Sequence, residues 1–300
     1  MTERTGDERD EPAARPDGGA TAHATMTRHE SDYAGTARQV LGVAQREYRV
    51  LSRARWTVGL AVLFGAFSLS VVGLTGTATG PTSVGALLVT LAELSVYLVP
   101  LAALALGYGT VVGADERGTL ELLLSVPLDR TALLVGKFVG RAATFAVGTA
   151  VGLGAGAVLV AIRFGPAVMP AYLHSLLTAV SVGVAFLSLG VCISAAATEK
   201  ARALGGVLLA WVLFVLVYDL VALGVVVTFD PPGWLLSLLV LGNPADVLRL
   251  VVLSLVPTAG GGAGAVLATT SVSTGAVLGG LALWVVAPLV VGGRLLGRRA

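Results

Sequence analysis

The chain has 300 residues, of which 55% are hydrophobic and only 13% are charged, about half the charged share of a soluble domain. Twelve of the charged residues lie within the first 32 positions, so long stretches of the remainder carry no charge. This composition excludes a soluble protein and indicates a polytopic membrane protein, while the single cysteine, Cys192, excludes a disulfide framework.

The N-terminal segment changes character near residue 34. Residues 1–33 combine acidic residues, Arg, Pro, Gly and Thr with almost no large apolar side chains, so we expect a disordered acidic tail. Residues 34–56 have helical periodicity, with arginines opposite an apolar arc that consists of Val40, Leu41, Ala44, Tyr48 and Leu51. This pattern predicts an amphipathic cytoplasmic helix on the membrane surface, and the alternative is a helix that packs on the protein's own cytoplasmic side.

Six apolar segments follow, and each is near the roughly 20 residues that cross a bilayer core. They are Thr57–Leu74, Val84–Val112, Phe138–Ile162, Ser175–Ala197, Leu204–Thr228 and Thr274–Gly293. We therefore predict an all-α fold in which residues 57–300 form one membrane domain with six transmembrane helices.

The basic residues predict how these spans are oriented, since cytoplasmic loops carry an excess of Arg and Lys. Fourteen basic residues fall beside the two ends of the membrane domain or in the connections between spans two and three and between spans four and five. The alternate connections contain only Arg163 and Arg249. We therefore expect a multi-pass protein of the cell membrane with both termini in the cytoplasm.

The segment between spans five and six is a borderline candidate for a seventh transmembrane span. Trp234–Pro257 is apolar enough for a seventh span, but Asn243–Pro244 interrupts it. Asp246 and Arg249 would each cost about 3 kcal/mol near the bilayer centre. We therefore expect 229–273 to be a long external connection with one or two short helices that dip into the outer leaflet.

Two acidic residues lie within the predicted spans. Glu93 is nine residues from the start of span two and Asp219 is nine residues from the end of span five, which places both about 13 Å deep. Carboxylates inside a membrane are costly and are therefore functional candidates. They could line a translocation path with Tyr218, or they could be structural groups, protonated or bonded to the hydroxyls of Tyr97 and Tyr218.

No motif for covalent chemistry accompanies these acids. The chain has no complete phosphate-binding loop and no zinc-protease motif, and its histidines, His23, His29 and His174, stand apart from one another. We expect no catalytic residue, no metal site and no cofactor bound by this chain.

The connection between spans two and three contains the most informative motif, which reads Glu116-Arg-Gly-Thr-Leu-Glu-Leu-Leu-Leu-Ser-Val-Pro127. Gly118 can end the preceding helix, Thr119 can cap a new one, and the proline stops it. The resulting short helix is too rich in leucine for a free loop, so we expect it to dock into a groove of another protein. The alternative is that it packs on this protein's own cytoplasmic face.

The string from Glu116 to Lys137 closely resembles the hallmark of ABC-2-type transporter permeases, and it is most similar to the branch that includes the permease of the nitrous-oxide-reductase maturation transporter. The topology of residues 35–300 is similar as well. The resemblance implies a coupling helix that docks on a separate ABC ATP-binding subunit, which would hold ATP and Mg²⁺. The implied contact residues are Glu116, Arg117, Gly118, Thr119, Leu120, Glu121, Leu123, Leu124 and Pro127.

The resulting hypothesis is a non-catalytic permease subunit that couples ATP hydrolysis on a partner chain to export, working as a homodimer or as one of two paired permeases among membrane lipids. An ion-coupled secondary transporter or channel that uses Glu93 and Asp219 is the alternative, and a membrane anchor for another enzyme is a third class. The apolar docking helix favours the first hypothesis. No feature suggests a nucleic-acid partner.

Overall fold

The computed structural model of the protein describes residues 18–74, 81–115, 130–229, 232–255 and 272–298, and within these ranges all regular structure is helical. The chain divides into two compact units after Arg38, and the larger unit is Gln39–Ala300. The all-α prediction is confirmed for the described residues.

The first helix runs from Gly18 to Arg53, so it begins inside the stretch that was predicted to be disordered. The helix thus extends the predicted segment 34–56 toward the N-terminus, where Ala, Met, Glu and Arg after Gly19 provide residues compatible with a helix. The helix ends at a turn in which Arg55 has a φ of 62°, and the next helix begins at Trp56.

Within the larger unit, one face of this first helix packs on the protein itself. Ala44 and Leu51 are buried, whereas Leu41, which was predicted on the same apolar arc, is 58% exposed. A Cβ atom added at Gly140 would lie 2.6 Å from the Ala44 carbonyl oxygen, so the two backbones are close. This face of the helix therefore packs on the protein itself, while its placement on the membrane surface stays a prediction.

Among the described residues, six helical segments are each long and apolar enough to cross a membrane, as predicted. Spans one to four are Trp56–Leu74, Pro81–Gly107, Arg130–Phe164 and Met169–Ala196, span five is Lys200–Phe229, and span six is Thr274–Gly297. A short helix, Val112–Asp115, follows span two. A 3₁₀ turn, Pro166–Val168, joins spans three and four.

Span five is not one regular α-helix. It consists of Lys200–Trp211, a π-helical segment Val212–Val217 and Tyr218–Phe229. The span predicted over 204–228 is therefore present but contains an irregular segment. The sequence offers no warning of the π segment, since its six residues include neither glycine nor proline.

Span three carries small residues at a four-residue spacing, and its neighbours approach it closely there. The glycines on this face are Gly136, Gly140, Gly148, Gly152 and Gly156. A Cβ atom added at Gly152 would lie 2.6 Å from the Phe64 Cβ and 2.8 Å from the Ala61 carbonyl oxygen of span one. Small residues allow helix backbones to pack this closely in lipid. Span three is therefore the support against which the first helix and span one pack.

Between spans five and six lie two short helices, Gly233–Leu241 and Pro244–Leu255, which are bent by 115° relative to each other. We call them the bent pair. The second helix packs against spans two and four, and seven of its residues, among them Asp246 and Arg249, are buried. One or two short helices in a largely external connection were predicted here. The structure has two, and the second packs among the spans, where its charged residues find partners.

The close packing on span three predicts a local sensitivity to added volume. Gly152→Ala should destabilise the protein by about 1–3 kcal/mol, because the new methyl group meets backbone atoms of span one. Gly154→Ala is the matched control, since an added Cβ there meets nothing within 4 Å. Thermal unfolding in detergent measures both variants, and equal shifts in their midpoints would contradict the packing.

Candidate functional site

Arg249, on the second helix of the bent pair, is surrounded by three carboxylates. Its Nε lies 3.2 Å from Glu93 Oε2 of span two. Its Nη1 lies 2.8 Å from Asp219 Oδ2 of span five and 2.8 Å from Asp246 Oδ1, one turn earlier on its own helix. We call these four residues the ion cluster. The two acids singled out from the sequence, Glu93 and Asp219, are thus brought together by one guanidinium.

The ion cluster has a buried side and an open side. The side chains of Arg249 and Asp246 are only 10% and 11% exposed, whereas those of Asp219 and Glu93 are 29% and 46% exposed. Removing charges from water is costly unless they are paired with good geometry. The bent pair therefore supplies the buried cation, and spans two and five present their carboxylates toward the open side.

Asn243 fixes the bend beside the ion cluster. Its Oδ1 accepts a hydrogen bond from the Ala245 N–H at 3.1 Å, and Pro244 follows it as the first helical residue, an arrangement typical of a helix N-terminus. Its Nδ2 donates to the Phe214 carbonyl at 2.9 Å and lies 3.3 Å from Asp246 Oδ2. One side chain thus caps the second helix and joins it to span five.

Two aromatic side chains satisfy carbonyls at the end of the first helix of the bent pair. Tyr218 donates from its hydroxyl to the Leu239 carbonyl at 2.7 Å, and Trp284 donates from its Nε1 to the Leu241 carbonyl at 3.0 Å. Non-helical backbone is tolerated at membrane depth only where its polar groups are bonded within the protein. The Tyr218 hydroxyl thus stabilises the bend, whereas one alternative from the sequence had it bonded to an intramembrane acid.

The π-helical segment explains how span five accepts the hydrogen bond from Asn243. The Tyr218 N–H donates to the Leu213 carbonyl, five residues back, instead of the Phe214 carbonyl four residues back. The Phe214 carbonyl accepts the hydrogen bond from Asn243. π segments occur frequently at functional sites, and this one lies directly beside Asp219.

A second polar network lies at the C-terminal end of span two. Lys137 Nζ donates to the Thr110 carbonyl at 3.2 Å, and Arg141 donates to the Leu106 carbonyl while its Nη2 lies 2.8 Å from Glu47 Oε1. Basic side chains commonly bind the last carbonyls of a helix in this way. Span three thus holds the end of span two and the first helix in one network.

The predicted partner-coupling residues lie outside the described residues. They are Glu116, Arg117, Gly118, Thr119, Leu120, Glu121, Leu123, Leu124 and Pro127. The chain enters this segment six residues after Thr110, which belongs to the network held by Lys137.

A cavity of about 670 Å³ lies between span four, the second helix of the bent pair and span six. Leucine and valine form most of its wall, and His174, Thr178 and Ser181 contribute polar groups. Among the described residues that line it there is no carboxylate and no member of the ion cluster. The ion cluster is therefore the stronger candidate site.

Sequence reasoning identified Glu93 and Asp219 but missed their partner. Asp246 and Arg249 were treated as isolated charges that keep their segment out of the membrane, and Arg249 was counted with the loops. Charge balance is the sequence signal that could have identified this partner. Several acids and one arginine in otherwise apolar segments are costly unless they form ion pairs with one another.

The six spans, the buried bend and the ion cluster define a polytopic helical membrane protein with charged groups among its spans. The sequence matches the family described as ABC-2 family transporter protein over residues 41–300. It is 37% identical over 227 residues to a probable ABC transporter permease protein NosY of Stutzerimonas stutzeri, covering 72% of this chain and 82% of the relative.

A second relative extends the similarity over nearly its whole length. The probable ABC transporter permease protein NosY of Pseudomonas aeruginosa is 36% identical over 268 residues, covering 86% of this chain and 97% of the relative. The chain therefore belongs to the ABC-2 transporter family, and it is a membrane permease subunit of an ABC transporter. Membership implies an ATP-binding partner subunit and does not favour the ion-coupled alternative.

The charge balance of the ion cluster predicts opposite sensitivities to neutralisation. Arg249→Gln leaves three carboxylates without a cation and should destabilise the protein by about 3–5 kcal/mol. Glu93→Gln removes part of the excess negative charge and should be tolerated. Arg202→Gln is the control, since that exposed arginine pairs only loosely with Glu199 and should contribute at most about 1 kcal/mol. Unfolding midpoints in detergent test this order, and an Arg249→Gln midpoint equal to the control would contradict it.

Proposed function

We propose that this chain forms the transmembrane path of an ATP-driven exporter whose ATP is hydrolysed on a separate subunit. The observation that carries this proposal is the family match over residues 41–300 together with two permease relatives at 36% and 37% identity. In this arrangement the partner binds ATP and Mg²⁺, while the permease binds no cofactor and performs no covalent chemistry.

The coupling contact is assigned to the segment Glu116–Pro127. Its leucines would fill an apolar groove of the ATP-binding subunit, while Glu116, Arg117 and Glu121 would lie at the rim. Buried apolar anchors dominate interface affinity, whereas rim charges mainly affect encounter. The network of Glu47, Lys137 and Arg141 supports this assignment, because it fixes the end of span two from which the segment departs.

Truncation of the docking leucines tests the coupling contact and the proposed function together. Leu123→Ala and Leu124→Ala should each weaken partner binding by about 1–3 kcal/mol of lost burial, or about 5- to 150-fold in affinity. Co-purification of the ATP-binding subunit in mild detergent measures this loss.

Glu121→Gln is the control for that experiment, because a rim charge should affect binding only mildly. The unfolding midpoint of each permease variant should match that of the unmodified chain. Full retention of the partner by both leucine variants would show that the segment packs on its own protein instead.

The translocation path is assigned to the open side of the ion cluster. Glu93 and Asp219 are partly exposed there, and lipid is an unfavourable neighbour for both carboxylates. The exposure of span five supports a paired arrangement. The structure describes Lys200–Phe229 throughout, and the buried residues in this span are Ala203, Val207 and Val215. A second copy of the chain, or a related permease, would cover this span and enclose a path between the two subunits.

Neutralising the open-side acids tests the path. Glu93→Gln and Asp219→Asn should lower transport several-fold in a host strain that depends on this permease, because each removes a charge from the wall of the path. Assembly with the ATP-binding subunit should persist, since the cluster retains Arg249 and two carboxylates. Unchanged transport in both variants would assign these acids a structural role.

The orientation with both termini in the cytoplasm is also part of the proposal. Burial of Arg249 in the ion cluster strengthens the charge argument, because Arg163 is then the single basic residue in the alternate connections of the sequence. Arg163 Nη1 also donates to the Val72 carbonyl at 3.0 Å, at the end of span one.

Cysteine labelling in intact cells tests this orientation, starting from a Cys192→Ser background. New cysteines at Thr77 and Gly262 should react with a membrane-impermeant maleimide from outside, and cysteines at Arg130 and Arg299 should react only after lysis. Labelling of the Arg299 site in intact cells would reverse the assignment.

A further inference from the structure

The two halves of span five differ in how they are held. In the first half, Lys200–Trp211, Ala203 and Val207 are buried and Trp211 donates from its Nε1 to the Tyr97 carbonyl of span two at 3.0 Å. The second half, Tyr218–Phe229, contains no buried residue. Within one chain, apolar packing therefore holds the first half more than the second.

Polar contacts at the start of the second half attach it to the bent pair. Asp219 Oδ2 lies 2.8 Å from Arg249 Nη1, and the Tyr218 hydroxyl donates to the Leu239 carbonyl. Both bonds lead to the bent pair, and both lie directly after the π segment Val212–Val217. An irregular helical segment between a packed and an unpacked half is where a helix bends most easily.

We propose that Arg249 is a positioning residue that latches a hinged second half of span five to span two and the bent pair. The π segment is the hinge, and the ion pair between Asp219 and Arg249 is the latch. This inference concerns the chain alone and goes beyond the proposed function, because it depends neither on the cargo nor on the ATP-binding subunit.

The geometry around Arg249 explains why this residue can serve as the latch. Its Nε is directed to Glu93 of span two while its Nη1 contacts Asp219 and Asp246. The planar guanidinium presents several donors in fixed directions, whereas a lysine ammonium is a single point charge. Three carboxylates compete for this one cation, so the bond to Asp219 can be given up while Arg249 remains paired with Glu93 and Asp246.

Release of the latch has a defined effect on the open side of the ion cluster. Asp219 would move with span five, and Glu93 would stay with Arg249 and span two. The two carboxylates would then separate, and the wall between spans two and five would open.

Site-directed spin labelling of the full chain in lipid nanodiscs tests the latch. A nitroxide is attached to a cysteine at Leu223, which is 50% exposed in the second half, or at Leu209, which is 68% exposed in the first half. Both sites are prepared in the Cys192→Ser background. Asp219→Ala removes the tie to span five, and Glu93→Ala removes the same charge from the same cluster while leaving that tie in place.

The expected result is confined to the Leu223 label and to variants that weaken the bond between Asp219 and Arg249. Asp219→Ala should at least double the mobile fraction of the Leu223 label, whereas Glu93→Ala should leave that fraction near its value in the parent chain. The Leu209 label should be unchanged in both variants. Arg249→Lys should mobilise the Leu223 label by an intermediate amount, because it keeps the charge but loses the fork of donors.

Two results would overturn the inference. In the first, Asp219→Ala and Glu93→Ala mobilise the Leu223 label equally, so the effect follows cluster charge and not the attachment of span five. In the second, the Leu209 and Leu223 labels respond equally to Asp219→Ala, so span five loosens as a whole without a hinge.

Discussion

The interaction on which the membrane domain depends is the pairing of Arg249 with carboxylates from three elements. A lone arginine or carboxylate at this depth would be expelled toward water or the headgroups. Because each charge has a partner, the second helix of the bent pair can lie buried against spans two and four, and the bend can remain within the protein. The bonds from Asn243, Tyr218 and Trp284 complete this arrangement by satisfying backbone groups that the bend leaves open.

Close backbone packing, in place of charge pairing, organises the region around span three. There the contacts are close backbone approaches along a row of glycines, which bring span one and the first helix against the same face. Dispersion contacts and small residues favour such packing in lipid, where the hydrophobic effect gives no advantage to helix association. The protein thus combines a firmly packed part, built on span three, with a part around span five whose attachment is largely polar.

The sequence predicted the number and approximate limits of the spans, because bilayer thickness dictates the length of each apolar segment. It also located Glu93, Asp219 and the break at Asn243. It could not pair Glu93 with Arg249, since these residues are 156 positions apart and each charge was assessed alone. The π segment carried no compositional sign, and the glycine spacing in span three did not reveal which helices would face it. The roles in coupling and translocation remain predictions.

The placement of the tryptophans has a spectroscopic consequence. Trp211 lies immediately before the π segment and Trp284 beside the bend, and each donates its indole N–H to a carbonyl of another element. The other two, Trp56 and Trp234, are 40% and 64% exposed. Quenching of the more exposed pair would raise the share of the emission that comes from the two indoles beside the π segment and the bend. The protein thereby contains its own optical reporters of span five and the bend, without any added chromophore.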